Sequence, residues 1–192
     1  MPLGLGIGLG SDTPVSSGYG SGVLFERDGD WVAGDLTLAV TSNCNVSVGT
    51  TNAGGISNYV IMEMTDTDGE PDPQFAYGSA ALSLFNPSPQ DIYDAQPTSG
   101  SFKLTCKVYI PSSNTATGAQ ARARVNGTAG LNVFANDTWT TISREKDLSA
   151  LSLAPNADAD FFEVEFDDGD ANEPALGDVM YVTQFKVEYI AD

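Results

Sequence analysis

The stretch Gly177-Asp178-Val179-Met180-Tyr181-Val182-Thr183-Gln184-Phe185-Lys186-Val187-Glu188-Tyr189 decides the fold. Phe185, Val187 and Tyr189 alternate with Lys186 and Glu188. A period of two belongs to a strand with one face on a core and one on solvent, because successive side chains point to opposite sides of a sheet. A strand therefore closes the chain. Upstream, the same signal recurs in short apolar pieces at 36–40, 46–48, 59–64, 80–85, 102–110, 120–125, 131–134, 138–142 and 161–166. Short strands broken by turn residues at this spacing predict two antiparallel sheets packed face to face.

Composition agrees with that reading. A chain of 192 residues suits one sandwich domain with a sizeable core, and its 20 glycines and ten prolines supply the turns. The segment 144–153, with Leu148, Leu151 and Leu153, is the best helical candidate and is short enough for one turn at most. The domain is expected over 22–192. It follows an N-terminal arm and linker, 1–21, that is rich in glycine and serine.

Charge removes whole classes of partner. With 26 acidic residues against 8 basic ones, the net charge is −18. Nucleic acid is excluded because phosphate binding depends on Lys and Arg displacing counterions, and an anionic membrane is disfavoured for the same reason. No apolar run approaches the roughly 20 residues that span a bilayer. Six of the basic residues, Lys103, Lys107, Arg122, Arg124, Arg144 and Lys146, lie close together in the sequence. They form either a basic strip facing an acidic neighbour or ordinary solvent-facing charge. Cys44 and Cys106 each fall on the apolar side of an alternating run, which predicts two buried free thiols rather than a bridge.

Met1-Pro2-Leu3-Gly4-Leu5-Gly6-Ile7-Gly8-Leu9-Gly10 alternates aliphatic residues with glycine and has no basic residue. Glycine at every second position opposes the helix that a signal peptide forms, so an extended segment is expected. Leu3, Leu5, Ile7 and Leu9 would share one face. Two readings stand side by side: an assembly arm that adds to a neighbouring sheet edge, or a first strand packed within its own domain.

The Phe25-Glu26 pair ahead of the Asp28-Gly29 turn and Trp31, taken with the closing strand, resembles the carbohydrate-binding-module type of jelly-roll β-sandwich. The resemblance implies modules found on secreted glycosidases and on bacteriophage virion proteins. In such modules a calcium ion commonly ties the first strand to the last. Glu26 matches the first carboxylate of that site, whereas Thr183 and Gln184 stand where the later carboxylates are expected, and this loss weakens a Ca²⁺ site. Together with the arm, the resemblance leads to the expectation of a virion structural protein. It would be a capsid decoration or fibre-like surface protein, homo-oligomeric and in contact with other capsid or tail proteins. The alternatives are a module that binds a host or environmental glycan, or a tail component.

Candidate sites follow from side-chain chemistry. Trp31, Trp139, Tyr19, Tyr59, Tyr77, Tyr93 and Tyr109 offer faces for stacking on sugar rings. Tyr93, between Asp91 and Asp94 in a proline-rich loop, is the best exposed glycan contact, and both tryptophans are assigned to the core. Catalysis is not expected. The chain has no histidine, and Glu163 with Glu165, a pair that could serve a glycosidase, reads as solvent-facing. The acidic runs 66–72 and 167–173 read as solvated loops. The sequons at Asn45, Asn126 and Asn136 are expected to carry no glycan.

Overall fold

A computed structural model of the protein describes residues 18–65, 73–116, 118–134, 137–167 and 175–192. Eleven strands among these form two antiparallel sheets. One sheet contains β1 (Gly22–Arg27), β3 (Cys44–Gly49), β4 (Tyr59–Met64), β6 (Ser101–Tyr109), β9 (Thr140–Asp147) and β11 (Val179–Ile190). Its order is β3-β4-β11-β6-β9, with β1 also paired to β11. The other contains β2 (Val40–Ser42), β5 (Gln74–Tyr77), β7 (Gln120–Val125), β8 (Thr128–Ala129) and β10 (Phe162–Asp167), in the order β2-β5-β10-β7-β8. The first and last strands are neighbours, as the resemblance implies.

The core lies between the two inner faces. Phe102, Leu104, Cys106 and Val108 of β6 are fully buried, as are Val60 and Met62 of β4. Across from them, bulky residues of β10 pair with smaller ones of β7: Phe162 with Val125, Val164 with Ala123, and Phe166 with Ala121. Alternating large and small neighbours fills the layer without overpacking. Trp31 is buried against Phe75 and Phe185, in edge-to-face contacts with centroids 5.9 and 6.4 Å apart. Cys44 and Cys106 are buried free thiols. Burial pushes the Cys44 thiol up to about 11 and the Cys106 thiol higher still, so neither is a thiolate nucleophile at neutral pH.

β11 changes parity part-way along. Met180 and Val182 face the core before a register shift between Thr183 and Lys186, and Phe185, Val187 and Tyr189 face it afterwards. Gln184, at φ 48°, is the residue that absorbs the shift. A bulge with one extra residue lets both halves of a long strand turn their apolar side inward.

Several expected strands take other forms. Residues 33–38 form a 3-10 turn, so the strand expected from Leu36 reduces to Val40–Ser42. Residues 79–84 are also 3-10, not a strand, with Ala81 pinned in the core. Leu131 and Phe134 are 87% and 60% exposed, and their segment contributes only a single bridge between Ala121 and Val133. The proline-rich loop holds a short helix, α1 (Pro89–Ala95), capped by the Ser88 hydroxyl, which accepts from Gln90 N at 3.2 Å. Residues 144–153 divide between β9 and a single 3-10 turn, Leu148–Ala150.

The basic residues do not form one strip. Lys103 and Lys107 lie on β6, whereas Arg122 and Arg124 lie on β7 in the opposite sheet, paired with buried glutamates. The assembly residues Leu3, Leu5, Ile7 and Leu9, the run 66–72 and most of the run 167–173 lie outside the described residues.

Candidate functional site

Four rings meet on the outer face of the six-stranded sheet. Because Val60, Val108 and Val182 point inward, their strand neighbours Tyr59, Tyr109 and Tyr181 point outward. Tyr181 pairs in register with Tyr109, and the two rings stack at 5.7 Å with planes 11° apart. Tyr59 packs on Tyr181 at 4.7 Å, and Trp139, just ahead of β9, closes the group on Tyr59 at 5.8 Å and Tyr109 at 5.4 Å. Trp139 is half-buried on this surface, which corrects its assignment to the core.

Two glycines let the group close. A Cβ on Gly49 would lie 2.5 Å from the Tyr59 ring. Gly54, at φ +53°, sits where a Cβ would be 2.9 Å from Trp139 Cδ1. The loop carrying Gly54 is tied down by Trp139, whose indole Nε1 donates to the Ala53 carbonyl at 2.8 Å. The result is an open groove of about 340 Å³ lined by Asn52, Tyr59, Tyr109, Ser112, Asp137 and Tyr181, among others. That volume is at the lower end of small-ligand sites, roughly 300–1,000 Å³.

Asp137 fixes the polar rim. Its Oδ1 accepts from Ser112 N at 3.0 Å and from the Tyr109 hydroxyl at 3.2 Å. The bonds from Ser112 hold its carboxyl below the ordinary aspartate value, so it stays ionised. Partial desolvation, then the nearby Asp137 charge, pushes the Tyr109 phenol up, so that phenol stays a donor. Ring faces with amide, hydroxyl and carboxylate groups at the edge suit a ligand with C–H faces and many hydroxyls. The fixed negative charge opposes an anionic one.

The opposite sheet carries a different surface. Glu163 and Glu165 are 3% and 1% exposed, not solvent-facing. Glu165 accepts from Arg122 Nε at 2.5 Å and Nη2 at 2.7 Å, and from Arg124 Nη1 at 3.1 and 3.2 Å. Glu163 is nearest Arg124 Nη1, at 3.6 Å, beyond hydrogen-bond range. Burial is the main cause that raises its carboxyl to about 8. Glu163, Asp158, Asp160, Asn126, Arg124 and Ser152 are among the residues lining a second groove, of about 250 Å³.

The remaining candidates are dispersed. Tyr77 is in the core, where its hydroxyl donates to Asp35 O at 2.7 Å, and Tyr19 packs against the core. Tyr93 sits on α1, partly buried against the core, and lines neither groove. Glu26 is exposed on β1 opposite Lys186, while Thr183 is buried and its hydroxyl accepts from Gly29 N at 3.3 Å. Among the described residues there is no cluster of three or more acidic, cysteine or histidine side chains that could hold a metal. Asn126 is buried, its amide oxygen accepting from Ser152 N at 2.7 Å.

No family model and no curated protein matches the chain. Solved structures do. The CBM22-1 xylan-binding domain from Paenibacillus barcinonensis Xyn10C aligns with a TM-score of 0.53 at 7% identity, covering 92% of this chain and 99% of that one. The tandem CBM22-1-CBM22-2 domain of the same protein aligns with the same TM-score and identity, over 92% of this chain and 48% of its own. At that identity the likeness establishes the fold: this chain folds as a jelly-roll β-sandwich of the kind seen in carbohydrate-binding modules.

Proposed function

We propose that the protein is a non-catalytic glycan-binding module, and that a neutral polysaccharide lies across Tyr109, Tyr181 and Trp139, with the buried Tyr59 packed against them. The observation that carries this reading is the ring cluster on an outer sheet face, where Tyr109, Tyr181 and Trp139 are half-buried and pack with the buried Tyr59, and where a sandwich has no packing reason to place it. The rings supply apolar contact and the rim of Asn52, Ser112 and Asp137 supplies directional bonds. A xylan-binding domain shares this fold, which makes xylan the first ligand to try. The non-catalytic reading is supported by Glu165, whose carboxylate is locked by two guanidinium groups.

The test is affinity electrophoresis and calorimetry against xylan, β-glucan and mannan. The wild type should bind at least one of them, and Trp139→Ala should lose tenfold or more, about 1.4 kcal/mol. Equal retention of the wild type and Trp139→Ala, or no retention on any of the three, would sink the reading. A place on a virion surface, in a capsid or tail, remains a second reading. It is favoured by the aliphatic-glycine alternation over 1–10, which fits a segment that docks on a neighbouring sheet.

A further inference from the structure

We infer that the groove on the five-stranded sheet, floored by Glu163 and walled by Asp158, Asp160 and Asn126, is a second binding site, and that its ligand bears a primary ammonium, as an amino sugar does. This site is separate from the aromatic groove and does not depend on it.

Two buried carboxyl oxygens in this groove receive no hydrogen bond from the described residues. Glu163 Oε1 and Asp160 Oδ1 are buried without a hydrogen bond among the described residues, and both residues line the groove. An unpaired buried acceptor costs about 1–3 kcal/mol. The Glu163 side chain, 3% exposed, is held there by its strand, since Val164 and Phe162 on either side belong to the core. Asp160 Oδ1 is an acceptor, and Glu163 becomes one once it gives up its proton, so a ligand that brings a cationic donor would satisfy both.

Charge then narrows the donor. Among the described residues one guanidinium lines the groove, that of Arg124, which approaches Glu163 Oε1 only to 3.6 Å and is engaged with Glu165 and with the Gly127 carbonyl at 3.1 Å, while Asp158 accepts from Asn126 Nδ2 at 2.5 Å. Lys146 donates to the Asn126 carbonyl at 3.0 Å. A hydroxyl brings one donor and no charge. A primary ammonium brings three donors and the charge that three carboxylates call for. The Ser152 hydroxyl and Gln74, on the same wall, can meet the hydroxyls of a sugar carrying that amine.

Binding of this kind moves a proton. Without ligand Glu163 is held protonated by burial and by its acidic neighbours Glu165 and Asp160, against the opposing pull of Arg124 and Arg122. An ammonium beside it favours the ionised form, so the proton leaves to solvent as the ligand binds.

The experiment is calorimetry at pH 7 with a glucosamine oligomer, its N-acetylated counterpart, a glucose oligomer and Nα-acetyl-lysine amide. Each titration is run in two buffers of different ionisation enthalpy. The expected result is binding of the glucosamine oligomer at least tenfold tighter than either neutral oligomer, with up to one proton released. That preference and the proton release should disappear in Glu163→Gln and weaken in Asp160→Asn, both checked for native circular dichroism. Trp139→Ala should leave them intact. Equal binding of the neutral oligomers, an unchanged Glu163→Gln, or binding of the lysine derivative alone would overturn the inference. Loss of glucosamine binding in Trp139→Ala with Glu163→Gln unaffected would assign the amine to the aromatic groove, overturning this site while leaving the glycan-binding reading in place.

Discussion

Glu163 is the residue whose chemistry departs furthest from what its neighbours in sequence suggest. In the chain it alternates with Glu165 like solvent-facing charge, yet burial lifts its carboxyl from 4.5 to about 8. Folding thus favours its protonated form. The stability this contributes is complete below about pH 4.5 and is lost as pH rises through about 8, because the unfolded chain has already released the proton. The chain has no histidine, so few other side chains titrate in that window. Asp35, whose carboxyl is lowered chiefly by its bond from Arg27, acts only on the acid side of it. The wild-type Tm should fall between pH 5.5 and 8 by an amount on the order of 3 kcal/mol, about 6–12 °C. Glu163→Gln, which carries no proton to lose, should show a nearly flat Tm over the same range. Parallel slopes in thermal scans of the two proteins would refute the buried-acid assignment.

Among the elements, β11 does the most to position the site. Its bulge at Gln184 sets the parity of the N-terminal half, and so sends Tyr181 outward to stack on Tyr109 while Met180 and Val182 enter the core. Deleting Gln184 would force one half of the strand to present its polar side to the interior. The deletion is expected to cost more than about 4 kcal/mol or to prevent folding, as a one-residue slip reverses every side chain. Gln184→Gly, which keeps the count and accepts φ 48°, should stay within about 1 kcal/mol of wild type. Urea denaturation of both variants checks the pair, and similar losses in the two would argue against the parity explanation. α1 makes the complementary point: the sequence reads as a proline-rich loop there, and a helix of seven residues forms because Ser88 caps it and Pro89 and Ile92 are buried in the core.

For the whole molecule, the open question is association. The outer faces carry the two grooves, and the aliphatic-glycine segment 1–10 precedes the described sandwich. If that segment docks on a neighbouring sheet, light scattering of the full chain at matched salt and concentration should give a defined oligomer, and removal of residues 1–10 should give a monomer. Monomers in both cases would remove the virion-assembly reading and leave the glycan-binding one unaffected. The charge of −18 makes association salt-dependent, so the oligomer should tighten as ionic strength rises and self-repulsion is screened.

The sequence by itself determined the fold class and the burial of both thiols. Each of these follows from a period of two that any strand must show, and Phe185, Val187 and Tyr189 or Phe102, Leu104 and Cys106 display it without interruption. It also made Tyr59 and Tyr109 legible as ring donors. Only the tertiary structure decided where those rings meet. Counting back from Tyr189 in steps of two puts Tyr181 on the core side, and the bulge that reverses this leaves no local mark beyond a glutamine able to adopt a positive φ. The same holds for Trp139, whose surface position depends on Gly54 in another loop, and for Glu163, whose burial depends on groups from other segments of the chain. Side-chain alternation is local and can be read from the chain, whereas register shifts, close approaches and desolvation arise from residues far apart in sequence.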